Sequence, residues 1–368
     1  MTPLFYISLF LLLIAAIRFM VVLFNYLTRP YLANRQATGN PLVSVLIPAR
    51  NEEKNIGNLI SNLAAQEYSN IEIIIYNDGS TDQTEAIAMQ WVATDKRVRL
   101  INGVPLPHGW LGKNHACHRL AMEAKGEFFL FLDADVTVAP KLIGNAISYM
   151  QRKRLILLSM FPFQIMKTLG EQLVVLNMNW ILLSLLPIKL VQWSKKRSLA
   201  AANGQFMMFE ATSYVENKWH EKVSMSMVED ISISRIIKRK RLRMATLLGS
   251  DNISCRMYES YNQALEGFSK NVCAYFGGST VVASIFTIVV TLSPIIIVFG
   301  LPFPLAFAYF FSLVFSRIMV LALSGHPIAK NILFWPIQHY VFILMVYRSV
   351  RFYRGGELNW KGRSITAS

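Results

Sequence analysis

Residues 4–24 are almost wholly apolar, and Arg18 is their only charge. A helix needs about 20 such residues to cross the hydrocarbon core of a bilayer, so this run constrains the fold more than any other feature. A cleaved leader would carry positive charge ahead of its apolar run and small residues at a cleavage site. Here no Lys or Arg precedes the run, and Arg29 and Arg35 follow it. The pattern predicts an uncleaved anchor over residues 1–28, with the N-terminus outside and residue 29 onward in the cytoplasm. Two further apolar runs, 279–299 and 303–323, meet at a Gly-Leu-Pro turn and read as a transmembrane hairpin. Residues 332–348 carry Pro336, Gln338 and His339. They predict an interfacial or re-entrant helix, because a full span would carry the basic tail 349–368 outside. The C-terminal membrane helices are thus expected over 279–348. Residues 169–193 are apolar but contain Asn177, Asn179, Pro187 and Lys189, which suits a helix in the membrane interface.

Charged residues make up 16% of the chain against about 25% in a typical soluble domain. The net charge is +15. Its basic residues cluster beside apolar segments, as at Lys195, Lys196 and Arg197, or Arg348, Arg351 and Arg354. That placement favours anionic lipid headgroups over nucleic acid, for which no binding motif is visible. Cys117, Cys255 and Cys273 have no metal or redox spacing.

After a linker over 30–42, the pattern changes. Short apolar strands at 43–47, 71–76, 97–101 and 127–132 alternate with helices at about 53–66, 82–93 and 113–125. Such alternation implies a parallel sheet covered on both faces. Right-handed crossovers make it doubly wound and Rossmann-like. Ligands of such sheets bind at the carboxyl ends of the strands, and the ends here are polar. The first continues Pro48-Ala49-Arg50-Asn51-Glu52-Glu53, where Asn51 could simply cap the next helix. The second continues Asn77-Asp78-Gly79-Ser80, a tight turn or a carboxylate for a base or ribose. The last continues Asp133-Ala134-Asp135. Two carboxylates so close call for a cation between them, and a divalent metal completed by a diphosphate would serve. Lys113 opens a helix, where a cation is unfavourable unless an anion joins it. Glu229-Asp230 opens another helix over 229–241, as first-turn acids or as a general base.

In this order the motifs PARNEE, NDGSTD, GWLGKNHA, DADV and VED resemble the family-2 glycosyltransferases of GT-A fold, over about residues 42–275. The flanking spans and the segments 109–113, 203–206 and 360–363 are similar to the membrane-bound subgroup that glycosylates carotenoids and other isoprenoid lipids. The resemblance implies an α/β, mostly parallel GT-A domain between an N-terminal anchor and C-terminal membrane helices. It implies that Asp78 holds uridine, although Asn77 stands where the family often has Asp. Pro48, Arg50 and Glu52 would line the nucleotide pocket, and Lys113 would lie near the uracil or diphosphate. Asp133 would face the ribose or sugar, and Asp135 would bind Mg²⁺ or Mn²⁺. Asp230 would be the catalytic base with Glu229 in support, and one direct displacement would invert the anomeric centre. The Gln-x-x-Arg-Trp segment of processive members is replaced by residues 263–271, where Lys270 could meet the donor phosphates. The expected activity is transfer from a UDP-sugar to a lipid acceptor such as a carotenoid. Polyprenyl phosphate, ceramide or diacylglycerol are alternative acceptors, and a non-catalytic membrane scaffold is the reading from another class. The expected setting is a bacterial cell membrane, multi-pass, with the catalytic domain and the basic tail cytoplasmic and with partners in lipid or carotenoid biosynthesis.

Overall fold

The computed structural model describes residues 2–35, 37–354, 357–360 and 363–366. Lys361 and Gly362, part of the 360–363 segment, lie outside the described residues. The chain forms two compact units that interleave in sequence. One holds Pro30–Ile165 and Ile188–Arg256, and the other Met1–Arg29, Met166–Pro187 and Met257–Ser368. Residues 166–187 and 257–275 therefore group with the terminal helices, not with the sheet.

The first unit is built on strands β1 (Val43–Ala49), β2 (Ile71–Asn77), β3 (Val98–Asn102), β4 (Phe128–Leu132), β5 (Val136–Val138), β6 (Leu157–Phe161), β7 (Phe163–Gln164), β8 (Phe206–Glu210), β9 (Met244–Leu248) and β10 (Ile253–Cys255). Seven make one sheet in the order β3-β2-β1-β4-β8-β6-β9. The pairs β2–β3, β1–β2, β1–β4 and β6–β9 are parallel, and β8 runs antiparallel to both of its neighbours. Val43, Val45, Leu46 and Ile47 are all fully buried, as a strand covered on both faces requires. The covering helices include Ile56–Ala64, Gly112–Glu123 and Leu142–Lys153. A small sheet in the order β5-β10-β7 sets Cys255 opposite Val136, next to Asp135. The expected linker is part of this unit, since Leu248 donates its N–H to Pro30 O and Arg35 donates its own to Asn145 Oδ1.

The second unit is helical. Pro3–Thr28, Thr280–Gly300 and Phe303–Leu323 are long and apolar enough to cross a membrane, by length and composition. Phe10, Ile17, Ile285, Phe299 and Phe307 are all exposed. Polar side chains turn inward: Asn25 donates to Leu183 O and Leu186 O, and Ser293 pairs with Tyr309 at 2.5 Å. This is the inversion a hydrocarbon solvent demands, in which polar groups find partners inside the bundle. The expected 332–348 helix is resolved as Ile328–Leu333 and Trp335–Tyr353. Pro336 sits in the first turn of the latter, where no backbone donor is lost. Gln338 is fully buried and donates to Asn331 Oδ1.

Gly126 marks the tightest entry into the main sheet. A Cβ there would lie 2.6 Å from Ser44 N and 2.7 Å from Leu42 O, both backbone atoms. Gly126→Ala should therefore lower stability by about 1–3 kcal/mol, as overpacking does, read as a lowered unfolding midpoint of the detergent-purified protein.

Candidate active site

Parallel strands β2, β1, β4 and β6 end at one edge of the sheet, and antiparallel β8 begins there. That edge collects Asp78 from β2, Arg50–Glu52 from β1, Asp133 and Asp135 from β4, and residues 203–205 from the entry to β8. The loops after β1 and β2 are tied together. Arg50 Nη1 donates to Asp78 O at 2.6 Å, Thr81 N to Asn51 Oδ1 at 2.8 Å, and Glu52 N to Thr84 Oγ1 at 2.7 Å. Asn51 takes a left-handed φ of 53°, which Asn tolerates better than most residues. It caps no helix, because the next one begins at Ile56 with Asn55 ahead of it. Gly79, with φ 65°, makes the turn that follows Asp78, and Asp78 itself is buried. Pro48 pairs opposite Tyr76 near the end of β1.

The centre of the cluster is Lys113, on the first turn of Gly112–Glu123. Its Nζ lies 2.8 Å from Asp133 Oδ1 and 3.0 Å from Glu229 Oε1. Gly204 admits this contact, because a Cβ there would fall 3.0 Å from both Lys113 Nζ and Glu229 Oε1. The same residue's N–H donates to Asp230 Oδ2 at 2.9 Å, while Ile231 N donates to Asp230 Oδ1 at 2.7 Å. Gln205 Nε2 reaches Cys255 Sγ at 2.9 Å and Asp135 Oδ1 at 3.4 Å. Ser159 Oγ accepts from Asn203 N at 2.8 Å and fastens this loop to β6. Gly204 and Gln205 were singled out by resemblance only, within the 203–206 segment. Their chemical signal, a glycine before a polar side chain at a strand start, is too common to stand alone.

Electrostatics follow from crowding. Burial pushes Asp133 up to about 6, with Asp135 and Glu229 adding to it and Lys113 opposing. Burial and then Glu229 push Asp230 up to about 7. Asp135 is raised by burial and by Glu52. Burial alone would lower Lys113, but Asp133 and Glu229 outweigh it and hold the ammonium well above its ordinary value. About a quarter of the Lys113 and Asp133 side chains stays exposed, so this pair reaches the surface. Lys270 lies on Tyr261–Tyr275 of the helical unit, 2.8 Å from Glu266.

Among the described residues no group of three or more His, Cys, Asp or Glu is disposed to hold a metal by itself. The donor set still fits a divalent cation with most of its shell supplied by a ligand. Asp133, Asp135, Glu229 and Asp230 gather around one lysine, and Asp135 is hydrogen-bonded through neutral Gln205 and Cys255.

Residues 44–212 match the family model described as glycosyl transferase family 2. The chain is 27% identical over 241 residues to a 4,4'-diaponeurosporenoate glycosyltransferase of Staphylococcus haemolyticus, covering 65% of this chain and 63% of that protein. It is 29% identical over 248 residues to the enzyme of the same name from Staphylococcus aureus strain MRSA252, covering 64% and 62%. The chain thus spans less than two thirds of the length of these relatives. Among solved structures, the mannosyltransferase PcManGT from Pyrobaculum calidifontis, in complex with GDP-Man and Mn²⁺, shares the fold. Its TM-score is 0.53 at 16% identity, over 92% of this chain and 99% of that one.

A pH dependence follows. In the unfolded chain both Asp133 and Asp230 would titrate near 3.8, below their folded values. The fold then holds protons that the unfolded chain releases, so stability is fully present below about pH 4 and falls as pH rises towards 7. Asp230→Asn removes its share. In a pH series of thermal unfolding, its advantage over the native protein should open between pH 4 and 7 and stay constant above.

Proposed function

Because residues 44–212 match the glycosyl transferase family 2 model, we propose that this chain is a member of that family and transfers a sugar from a nucleotide-sugar donor to a lipid-soluble acceptor at a membrane. The observation that carries this reading is the acid cluster around Lys113 at the carboxyl edge of the sheet, where open α/β folds bind their ligands. Asp78 would hold the uridine of a UDP-sugar, and Pro48, Arg50 and Glu52, at and after the end of the neighbouring strand, would line the nucleotide pocket. Asp135 would hold Mg²⁺ or Mn²⁺, which supplies charge neutralisation for a diphosphate leaving group. Lys113 fixes Asp133 towards the donor and Glu229 beside Asp230. Asp230 is the general base. Two backbone N–H groups aim its carboxylate, and a pKa of about 7 suits proton transfer near neutrality. One base and one displacement invert the anomeric centre.

The helical unit supports the choice of acceptor class. Three membrane-length helices suit a substrate that partitions into lipid, and the curated relatives carry the name of a carotenoid acid's glycosyltransferase. We read the acceptor as a carotenoid or related isoprenoid. We place the sheet-bearing unit on the cytoplasmic side of a multi-pass protein, where Arg29 and Arg35 after the first helix would hold it. Retention of Asp78, Asp135 and Asp230 together speaks for an enzyme over a scaffold of the same fold.

Two measurements test this. Asp230→Asn should cut transfer to a hydroxyl acceptor by at least about 10²-fold, the usual share of a general base. Donor affinity should change by less than about twofold, and retained turnover would refute the assignment. A carboxylate acceptor, already ionised at neutral pH, should lose far less. In calorimetric titrations Asp135→Ala should abolish the gain in nucleotide affinity that Mn²⁺ gives the native protein. Equal affinity with and without Mn²⁺ in the native protein would count decisively against a metal at Asp135.

A further inference from the structure

The helical unit carries a partly open pocket of about 210 Å³ whose walls include Arg18, Trp180, Ser184, Tyr309, Trp335 and His339. Its polar wall is basic. Arg18 Nη2 donates to Ser184 Oγ at 2.9 Å, and its guanidinium lies 4.5 Å from the centre of the Trp180 ring. Arg317, 2% exposed, flanks the cavity between Trp180 and Trp335 and donates to Gln338 Oε1. The Nε atoms of both arginines are buried and without a hydrogen-bond partner among the described residues.

Counter-charge is missing from the sequence of the helices that supply these arginines and of two more that line the pocket. Pro3–Thr28, Thr280–Gly300, Phe303–Leu323 and Trp335–Tyr353 contain no Asp or Glu. Leu169–Leu185 has Glu171, but that carboxylate accepts from Lys167 N and Thr168 Oγ1 at the helix start. An arginine inside a membrane bundle is costly and is normally paired, and a ring face or amide oxygen offsets only part of that cost. The volume exceeds the ~150 Å³ that suffices for benzene, so a headgroup oxyanion fits.

We propose that this cavity is a lipid site, and that it takes the oxyanion of a membrane lipid, a phosphate or carboxylate on an apolar chain, against Arg18. The anion supplies the charge that the Arg18 guanidinium lacks, and the apolar wall takes the adjoining chain. The site needs no sugar transfer, so it can be tested without a donor.

The test is native mass spectrometry of the full chain, purified in detergent and offered equimolar phosphatidylglycerol and phosphatidylcholine. The expected result is one phosphatidylglycerol retained per chain with at least a tenfold preference. Arg18→Gln should reduce that preference to parity, and Arg29→Gln, outside the cavity, should keep it. Ala15→Leu fills the cavity while leaving Arg18 in place, and should also abolish retention, so the test survives if Arg18→Gln fails to fold. Equal retention of the two lipids by the native protein would overturn the proposal, as would an undiminished preference in Ala15→Leu. Displacement of the lipid by millimolar inorganic phosphate alone would overturn the assignment to a lipid.

Discussion

Lys113 holds the sheet edge together. Its ammonium bridges Asp133, delivered by β4, and Glu229, delivered by a helix nearly a hundred residues later. Without it, Asp133, Asp135, Glu229 and Asp230 would crowd a half-buried space with only neutral dipoles between them. Removing one partner from such an arrangement leaves an uncompensated buried charge, the costliest outcome in a protein interior. Gly204 makes the approach possible because a side chain there would occupy the space of the ion pair. The backbone N–H that Gly204 presents then fixes Asp230. One lysine and one glycine thus convert three distant stretches of chain into a single chemical environment.

The helical unit solves the opposite problem. Its outer surface is apolar, so the hydrophobic effect does little to hold its helices to one another in lipid. Cohesion falls to buried polar contacts such as Asn25 to the 183 and 186 carbonyls, and Ser293 to Tyr309. Close approach helps as well: a Cβ on Gly300 would fall 1.9 Å from Ser8 Oγ, and one on Gly170 would fall 2.8 Å from Tyr261 Cβ. The polar residues that made 332–348 look ill suited to a membrane belong to this internal set. Gln338 is fully buried and meets Arg317 and Asn331, so its polarity reports on packing between helices and not on water.

What the sequence disclosed followed the strength of its periodicity. Strands β1 to β4 were legible because continuous apolar runs alternate with helices, and the strand-end acids were legible because parallel topology brings such ends to one edge. The second half of the sheet was not. β8 reads Phe-Met-Met-Phe-Glu, which carries no β-branched residue, and its antiparallel direction cannot be deduced from an α/β alternation that has already lapsed. Asn51 looked like a helix cap because composition cannot register a left-handed φ. The division of the chain escaped as well. Residues 166–187 and 257–275 fall within the 42–275 stretch expected to form the catalytic domain, yet Val174, Leu265, Phe268 and Met345 bury one another in a core of the helical unit.

Lys113 also shows that a local argument can call for an anion without naming which one. A cation on the first turn of a helix opposes the dipole, which called for an anion beside it. The structure supplies that anion twice from within the chain, through Asp133 and Glu229. A diphosphate approaching this edge therefore meets a lysine already neutralised, among acids that outnumber it. Coulomb repulsion at a separation of a few ångströms would disfavour such an anion by several kcal/mol at an intermediate dielectric. An anionic ligand can settle there only if a cation travels with it or the acids take up protons. The raised proton affinities of Asp133, Asp135 and Asp230 express the same strain from the side of the protein. Burial raises proton affinity at this edge, the surplus of carboxylates over one lysine raises it further, and the same surplus would favour a cation there.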